Sequence, residues 1–295
     1  MTPALSVVIP TLGRSPALPQ ALARLRAQEG APEFEVLVVA DAAAPPYVSA
    51  SLRAERPGAS AARNAGLAAA QAPVVLFLGD DILASERLVA VHAAWHARLP
   101  DEHVAVLGHV RWARSLRRTA FMAWLERGIQ TDYGAIDGDR AGWGHFYTTN
   151  VSVKRAFALS VGGFDEDIPF LYEDLDLARR LHDHGLDLRY AREAEGEHLH
   201  SQTLEDWQGR MEAIGRAERA FAAKHADFEP YFLRRLRRAA GAGGAPRPAR
   251  GRAARLAAFV PERVPFLGPR VWASAEAYFA QQLWPAFKRG WDAGP

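Results

Sequence analysis

Four groups of residues in this chain have types and spacing that could do chemistry. Asp80 and Asp81 are adjacent carboxylates closing the run Pro73-Val74-Val75-Leu76-Phe77-Leu78-Gly79. Glu173, Asp174 and Asp176 form a second acidic cluster, His198 and His200 stand two residues apart, and Asp41 ends the run Glu35-Val36-Leu37-Val38-Val39-Ala40. Paired acids can hold a hard divalent cation through oxygen ligands, and that cation can hold a diphosphate. The same pair can be a plain turn in which Asp80 caps the next helix. A carboxylate at 173–174 can serve as a general base, or can simply favour the positive end of a helix that starts there. Histidines two apart on a strand point to the same side, which an exposed pair would do equally.

These residues need a scaffold, and the pattern around them supplies one. Leu5-Ser6-Val7-Val8-Ile9-Pro10, 35–40 and 73–78 are short apolar, β-branched runs without alternation. Such runs are strands buried on both faces. Helix-forming residues from Pro16 to Gln28, stopped by Gly30, separate the first two runs. Strand, helix, strand is a βαβ unit, so the expected fold is α/β with a parallel, doubly wound sheet. In such sheets ligands lie beyond the carboxyl ends of the strands, where Asp41, Asp80 and Asp81 all fall.

Composition bounds the rest. The 295 residues carry a formal charge of only +2, so no global field argues for nucleic acid. The absence of cysteine excludes disulfides, thiolate metal sites and a cysteine nucleophile. The start Met1-Thr2-Pro3-Ala4 lacks the features of a signal peptide, and no stretch approaches a spanning helix. The expectation is a cytoplasmic protein, soluble or peripheral at the inner face of the membrane. The loop Thr11-Leu12-Gly13-Arg14-Ser15 carries neither G-x-G-x-x-G nor a P-loop, which weakens oxidoreductase and ATPase readings. Its single glycine is thin support for a nucleotidyltransferase. Ala61-Ala62-Arg63-Asn64-Ala65-Gly66-Leu67, just before the central strand, suggests a nucleotide contact by Arg63 or Asn64; an ordinary helix with a surface arginine is the alternative.

Val7-Val8-Ile9-Pro10-Thr11, Asp41, Ala62-Arg63-Asn64-Ala65-Gly66 and Phe77-Leu78-Gly79-Asp80-Asp81 together resemble glycosyltransferase family 2 in order and spacing. The resemblance implies the GT-A fold, with a nucleoside-diphosphate sugar on a Rossmann-like, mostly parallel sheet and Mn²⁺ or Mg²⁺ as cofactor. By that resemblance Pro10, Thr11, Asp41, Arg63, Asn64, Asp80 and Gly163 line the donor site, with Asp41 at the base and Asp80 by the ribose. Asp81 would bind the metal. Ala42-Ala43-Ala44 stands where the family often has a further acid, and Gly79 stands for the first acid of its triplet.

The second half continues the likeness. Gly144 to Arg155 alternates like a half-buried strand, and Val161-Gly162-Gly163-Phe164-Asp165 matches the family's turn, whose glycines would let backbone approach the donor sugar. Glu173-Asp174-Leu175-Asp176-Leu177 matches its E-D segment, implying Asp174 as the base that deprotonates a hydroxyl acceptor and Glu173 as oriented to that acceptor. Asp176 reads as structural. His198 matches a family metal ligand, with His200 as fallback. Trp112, Trp124, Tyr133 and Trp143 could stack on carbohydrate or could be core.

Thr203-Leu204-Glu205-Asp206 reads as a capping box, opening a helix whose apolar face, Leu204, Trp207, Met211, Ile214 and Phe221, would pack on the catalytic domain. The expected domains are 1–225, divided into a nucleotide half (1–110) and an acceptor half (111–225), and a helical extension over 226–295 with a linker near 241–250. That extension mixes arginines with Phe259, Phe266, Trp272, Phe279 and Phe287, a composition suited to an interfacial membrane anchor. Its rivals are a helical cap, a homodimer interface or a site for an anionic acceptor; no motif for nucleic acid accompanies the charge. The reading is a metal-dependent, inverting glycosyltransferase. The alternatives are a nucleotidyltransferase or other nucleotide-diphosphate enzyme, and a non-catalytic sugar- or membrane-binding protein.

Overall fold

The structure, a computed structural model, describes residues 2–46, 48–168, 171–241, 251–261 and 264–294. In chain order the elements are β1 (Leu5–Thr11), α1 (Leu18–Arg26), β2 (Phe34–Ala40), β3 (Leu52–Arg53), α2 (Ala59–Ala69), β4 (Val74–Leu78), β5 (Ile82–Ala84) and α3 (Leu88–Arg98). β6 (Val104–Trp112), α4 (Ala120–Leu125), β7 (Asn150–Lys154), α5 (Arg155–Ser160), α6 (Glu173–Asp183) and β8 (Asp187–His198) follow. The chain continues with α7 (Leu204–Lys224), α8 (Tyr231–Ala240), α9 (Gly251–Ala254) and α10 (Leu267–Ala293). Contacts divide it into one compact unit of Met1–Leu116, Tyr133–Asp167 and Glu173–His200, and another of the remaining segments.

The first unit is built on an eight-stranded sheet of order β3-β2-β1-β4-β7-β6-β8-β5. Alternate residues of β1 and β4 feed two cores. Val8, Val75 and Phe77 meet α2, α5 and α6 on one face, while Val7, Ile9, Leu76 and Leu78 meet α1 and α3 on the other. Two buried faces explain why these strands are unbroken apolar runs. The parallel sheet expected from the βαβ pattern holds across β3-β2-β1-β4. Beyond it β7 runs antiparallel to both β4 and β6, and β5 antiparallel to β8, so the sheet is mixed. β7 follows the irregular stretch 133–149 instead of a crossover helix, and without such a crossover parallel pairing is not required. β8 is longer than its apolar start suggests. A register shift opposite Gly108/His109 skips residues 192–194 and lets pairing with β6 resume at Glu195.

The second unit is helical, and α7 belongs to it, so the division near residue 200 replaces one at 225. Thr203 and Asp206 form the expected capping box. The buried face of α7 (Trp207, Met211, Ile214, Phe221) serves this unit's core. Here α7 and α10 touch backbone to backbone: a Cβ on Gly215 would lie 2.3 Å from the Phe287 carbonyl oxygen, and one on Gly290 would lie 1.8 Å from that of Glu212. Buried Glu218 on α7 accepts the Tyr172 hydroxyl (2.7 Å) and the N–H groups of Phe232 (2.7 Å) and Leu233 (2.9 Å), capping α8 from outside. Arg235 makes a two-pronged pair with Glu276, which also accepts Trp124 Nε1 at 2.6 Å. Phe279 and Phe287, read from composition as anchor residues, are buried in this unit, because they repeat at helical spacing on α10. No described helix is long and apolar enough to cross a membrane. The linker near 241–250 lies outside the described residues except for Gly241, which ends α8 with φ 73°.

Candidate active site

The chain order of the strands reverses between β1 and β4, since β2 and β3 lie on one side of β1 and β4 on the other. The ends of two such strands splay and leave a crevice. Thr11 closes β1 there and Asp80 follows β4. The Thr11 hydroxyl donates to Asp80 Oδ2 at 2.6 Å and accepts the Gly13 N–H at 2.9 Å, while the Ser15 hydroxyl reaches the Asp80 carbonyl at 3.3 Å. Gly13 has φ 69°, and a Cβ there would lie 2.2 Å from Val48 Cγ2. Burial pushes the Asp80 carboxyl up; the Thr11 bond opposes this and the neighbouring Asp81 charge adds to it.

Asp81 is delivered to the histidines by sheet register. β5 begins one residue later, and Ile82 pairs with His198, the last residue of β8. The Leu199 N–H then donates to the Asp81 carbonyl at 2.8 Å. His198 Nε2 lies 2.9 Å and His200 Nδ1 3.5 Å from Asp81 Oδ2. One ligand atom from each residue fits within a 4.8 Å span. One carboxylate and two imidazoles in that compass suit a divalent transition metal such as Mn²⁺. Burial raises the Asp81 carboxyl, but the hydrogen bonds from both histidines outweigh it and hold the group well below the usual range. Trp112, at the end of β6, stacks on the His198 ring with centroids 5.1 Å apart and planes 16° apart.

The acidic helix start is built around a buried ion pair. Glu173 is 3% exposed, and its Oε1 accepts Arg63 Nη1 at 2.8 Å. Glu173 is therefore turned to Arg63, not outward to an acceptor, and Arg63 is engaged by a carboxylate where a nucleotide contact was expected. Arg63 also lies over the Phe164 ring, 5.5 Å from its centroid. Asp174 is half-buried. Burial and the adjacent Glu173 charge push its carboxyl up to about 7, against Arg63 and the N–H groups of Leu175 and Thr148. Asp176, fully buried, pairs with Arg180 as a helix brace.

The Thr148 contact joins the two acidic groups. The Thr148 N–H lowers the Asp174 carboxyl, and the next residue's carbonyl, Thr149, accepts the Gly79 N–H at 3.2 Å. One dipeptide thus touches the helix-start acid on one side and the Gly79-Asp80-Asp81 turn on the other. Sequence reasoning passed over Thr148, Thr149 and the role of Trp112. The only signal available was their position at the mouths of β7 and β6.

Other expected site residues do structural work. Asn64 Oδ1 accepts the Phe164 N–H (2.8 Å), and its Nδ2 donates to the Phe164 carbonyl (2.9 Å) and to Glu166 (3.0 Å). Gly163, φ 67°, leaves room for that clasp: a Cβ would lie 2.7 Å from Asn64 Oδ1. Asp41 is buried and accepts the N–H groups of Ala43 (2.7 Å) and Gly58 (2.8 Å), tying the 41–58 loop to the end of β2. Pro10 lies within β1, opposite Val39. Of the aromatic candidates, Trp112, Trp124 and Tyr133 are core; Trp143 is half-buried near Arg179.

Comparison with known proteins agrees with this fold. Residues 6–124 match the family described as Glycosyl transferase family 2. Validoxylamine A glucosyltransferase of Streptomyces hygroscopicus subsp. limoneus is 32% identical over 244 residues, covering 69% of this chain and 53% of that protein. The uncharacterized glycosyltransferase YfnE of Bacillus subtilis is 27% identical over 245 residues, covering 64% and 62%. The chain spans about half the length of the validoxylamine A glucosyltransferases it matches. Among solved structures, the Pyrobaculum calidifontis mannosyltransferase PcManGT in complex with GDP-Man and Mn²⁺ aligns with TM-score 0.59 at 20% identity, covering 99% of this chain and 88% of that one. Residues 1–349 of S. aureus TarS align at 0.53 and 16% identity, covering 96% and 90%. The fold is that of the GT-A glycosyltransferases, and residues 6–124 form a glycosyltransferase family 2 domain.

Proposed function

We propose that the protein transfers a glycosyl group from a nucleoside-diphosphate sugar to a hydroxyl acceptor, in a divalent-metal-dependent reaction that inverts the anomeric carbon. The observation that carries the reading is the convergence of Asp81, His198 and His200 beside a strand-switch crevice. In this reading Asp81 and His198 hold Mn²⁺ or Mg²⁺, with His200 completing the set. The cation, when bound, supplies positive charge to the departing diphosphate. Asp80, fixed by Thr11, faces the ribose, and Asp41 lies on the base side.

Asp174 takes the proton of the acceptor hydroxyl as that oxygen bonds to the anomeric carbon and the bond from that carbon to the diphosphate oxygen breaks. A carboxyl held at about 7 suits a base near neutral pH. Glu173 and Arg63 position Asp174 and set its charge. Among the described residues of the site no side chain besides the candidate base offers itself as a nucleophile, which favours a single displacement. UDP and GDP are the nucleotides to try first, because neighbouring structures contain UDP and GDP-Man. Glucose is the sugar to try first, because two relatives are glucosyltransferases.

The test is thermal unfolding with UDP, GDP, dTDP or CDP, each with and without Mn²⁺ or Mg²⁺, followed by turnover with the matching sugar nucleotide. Binding to the native state raises apparent stability by mass action. Metal-dependent stabilisation by one nucleotide, lost in Asp81→Asn, is expected. Release of pyrophosphate instead of a nucleoside diphosphate, or retention of the donor's anomeric configuration, would overturn the corresponding part of the reading.

A further inference from the structure

Among the described residues, seven large apolar side chains are exposed, and four of them, Leu256, Phe259, Phe266 and Leu267, lie within twelve positions of one another. Phe259 and Phe266 are 79% and 84% exposed. This is the segment between α9 and the body of α10, whereas Phe279 and Phe287 further along α10 are buried.

The described residues of the segment are held by several bonds. The N–H groups of Phe259 and Val260 both donate to the Leu256 carbonyl at 2.9 Å, forming one turn. Val264 N–H donates to the Pro261 carbonyl at 3.1 Å and Gly268 N–H to the Val264 carbonyl at 2.9 Å. Trp272 of α10 donates its indole N–H to the Val260 carbonyl at 2.9 Å, pinning the first turn to the helix, and Arg127 covers that indole at 4.4 Å. Phe266 has φ 61°, a region that L residues rarely adopt, and carries an almost fully exposed ring there. A strained aromatic facing water is an arrangement that folding alone does not favour.

Charge completes the pattern. Between 251 and 275 the sequence has Arg252, Arg255, Arg263 and Arg270 against the single acid Glu262. Arg252, Arg255 and Arg270 are exposed beside the apolar residues. Apolar side chains presented on short turns and flanked by arginines match the boundary of an anionic bilayer: rings enter the acyl region while guanidinium groups meet phosphates. A protein partner would also be met by apolar residues, but the excess of unopposed arginine favours a phosphate-bearing surface.

We propose that the described stretches 255–261 and 264–270 dock this protein on anionic lipid bilayers, with Phe259 and Phe266 inserting and Arg252, Arg255 and Arg270 contacting headgroups. The proposal is independent of the sugar-transfer reading, since it uses none of the active-site residues.

The experiment is co-sedimentation of the full chain with vesicles of phosphatidylcholine and phosphatidylglycerol at 3:1, and with phosphatidylcholine alone, at low and high salt. Binding to the anionic vesicles that weakens with salt is expected. Phe259→Ala with Phe266→Ala should weaken it by about tenfold per ring. Arg252→Gln with Arg255→Gln and Arg270→Gln should remove the preference for anionic lipid. Each variant should keep the parent's melting temperature, because the substituted side chains are exposed. Failure to bind anionic vesicles, or binding unchanged in the double phenylalanine variant, overturns the proposal. So does a concentration-dependent dimer that the phenylalanine variant abolishes, which would assign the patch to a second copy of the chain.

Discussion

Arg63→Met and Glu173→Gln should move the pH dependence of transfer in opposite directions, because the two side chains act on Asp174 with opposite sign. The Asp174 carboxyl stands at about 7, raised by burial and by the Glu173 charge and lowered by Arg63. A base works only unprotonated, so kcat/KM should rise with pH through about 7 and level off above it. In Glu173→Gln the repulsion goes while Arg63 stays, and the limb should move down. A charge this close shifts a carboxyl by about one unit or more, and the low end applies to a half-buried group. A fall of about one unit raises the unprotonated fraction at pH 6 roughly fivefold.

Arg63→Met should move the limb up. It also strands Glu173, 3% exposed, without its partner, which costs about 3–5 kcal/mol where a buried pair is broken. The variant must therefore be assayed below its own melting point, alongside Glu173→Gln. The measurement is kcat/KM from pH 5 to 9 by nucleoside-diphosphate release, with folding checked by near-UV circular dichroism. Limbs that move together, or do not move in a folded Glu173→Gln, would refute the assignment of Asp174 as the titrating base.

Asp174→Asn should abolish turnover yet stabilise the fold at pH 8 by about 2 kcal/mol. A carboxyl raised from 3.8 to about 7 contributes stability below pH 4 that is lost as pH rises to 7, so the gain should vanish at pH 4 in urea titrations. A buried chain of Asn150, His92, Ser152 and His96, with contacts of 3.0, 2.8 and 2.8 Å, holds both imidazoles neutral, pushed down by burial to about 4 and about 3. Their contribution is full above pH 6.5 and is lost as pH falls toward 4, by about 2 kcal/mol per histidine at pH 5; urea midpoints at pH 7 and 5 should differ accordingly, and less so in His92→Gln. Gly290→Ala should lower stability by about 3 kcal/mol or more, since its Cβ would meet the Glu212 backbone, which cannot yield like a side chain. An unchanged thermal midpoint would show that α7 and α10 part without cost.

Much of this was legible in the chain. β1, β2 and β4 are apolar on both faces, so no partner need be known to recognise them. The pairing of Asp81 with His198 was reachable through the family resemblance, and geometry brings His200 within 3.5 Å as well. The rest depends on contacts across long separations. Asn64 and Gly163 lie 99 positions apart, and nothing local says that one clasps the turn containing the other. Glu173 reads as an ordinary helix-start acid until Arg63, 110 positions earlier, is placed against it. The end of β8 was hidden because Arg192, Glu193, Glu195 and Glu197 interrupt its hydrophobicity, and only the bulge explains how a strand runs through them. On α10 composition outweighed periodicity: the mixture of arginine and aromatic residues suggested a surface, although Phe279 and Phe287 lie two helical turns apart on one face.

The Thr148-Thr149 dipeptide acts as a ruler. The first of its residues bears on the Asp174 carboxyl and the second bonds the turn carrying Asp80 and Asp81, so in the proposed reaction the spacing between the two acidic groups would be set in part by main-chain atoms. Side-chain substitution cannot readily lengthen it. The residues immediately before it, an irregular run with two short 3₁₀ turns, are free of that duty. If the proposed reaction holds, that run could change in sequence without moving the two acidic groups relative to each other.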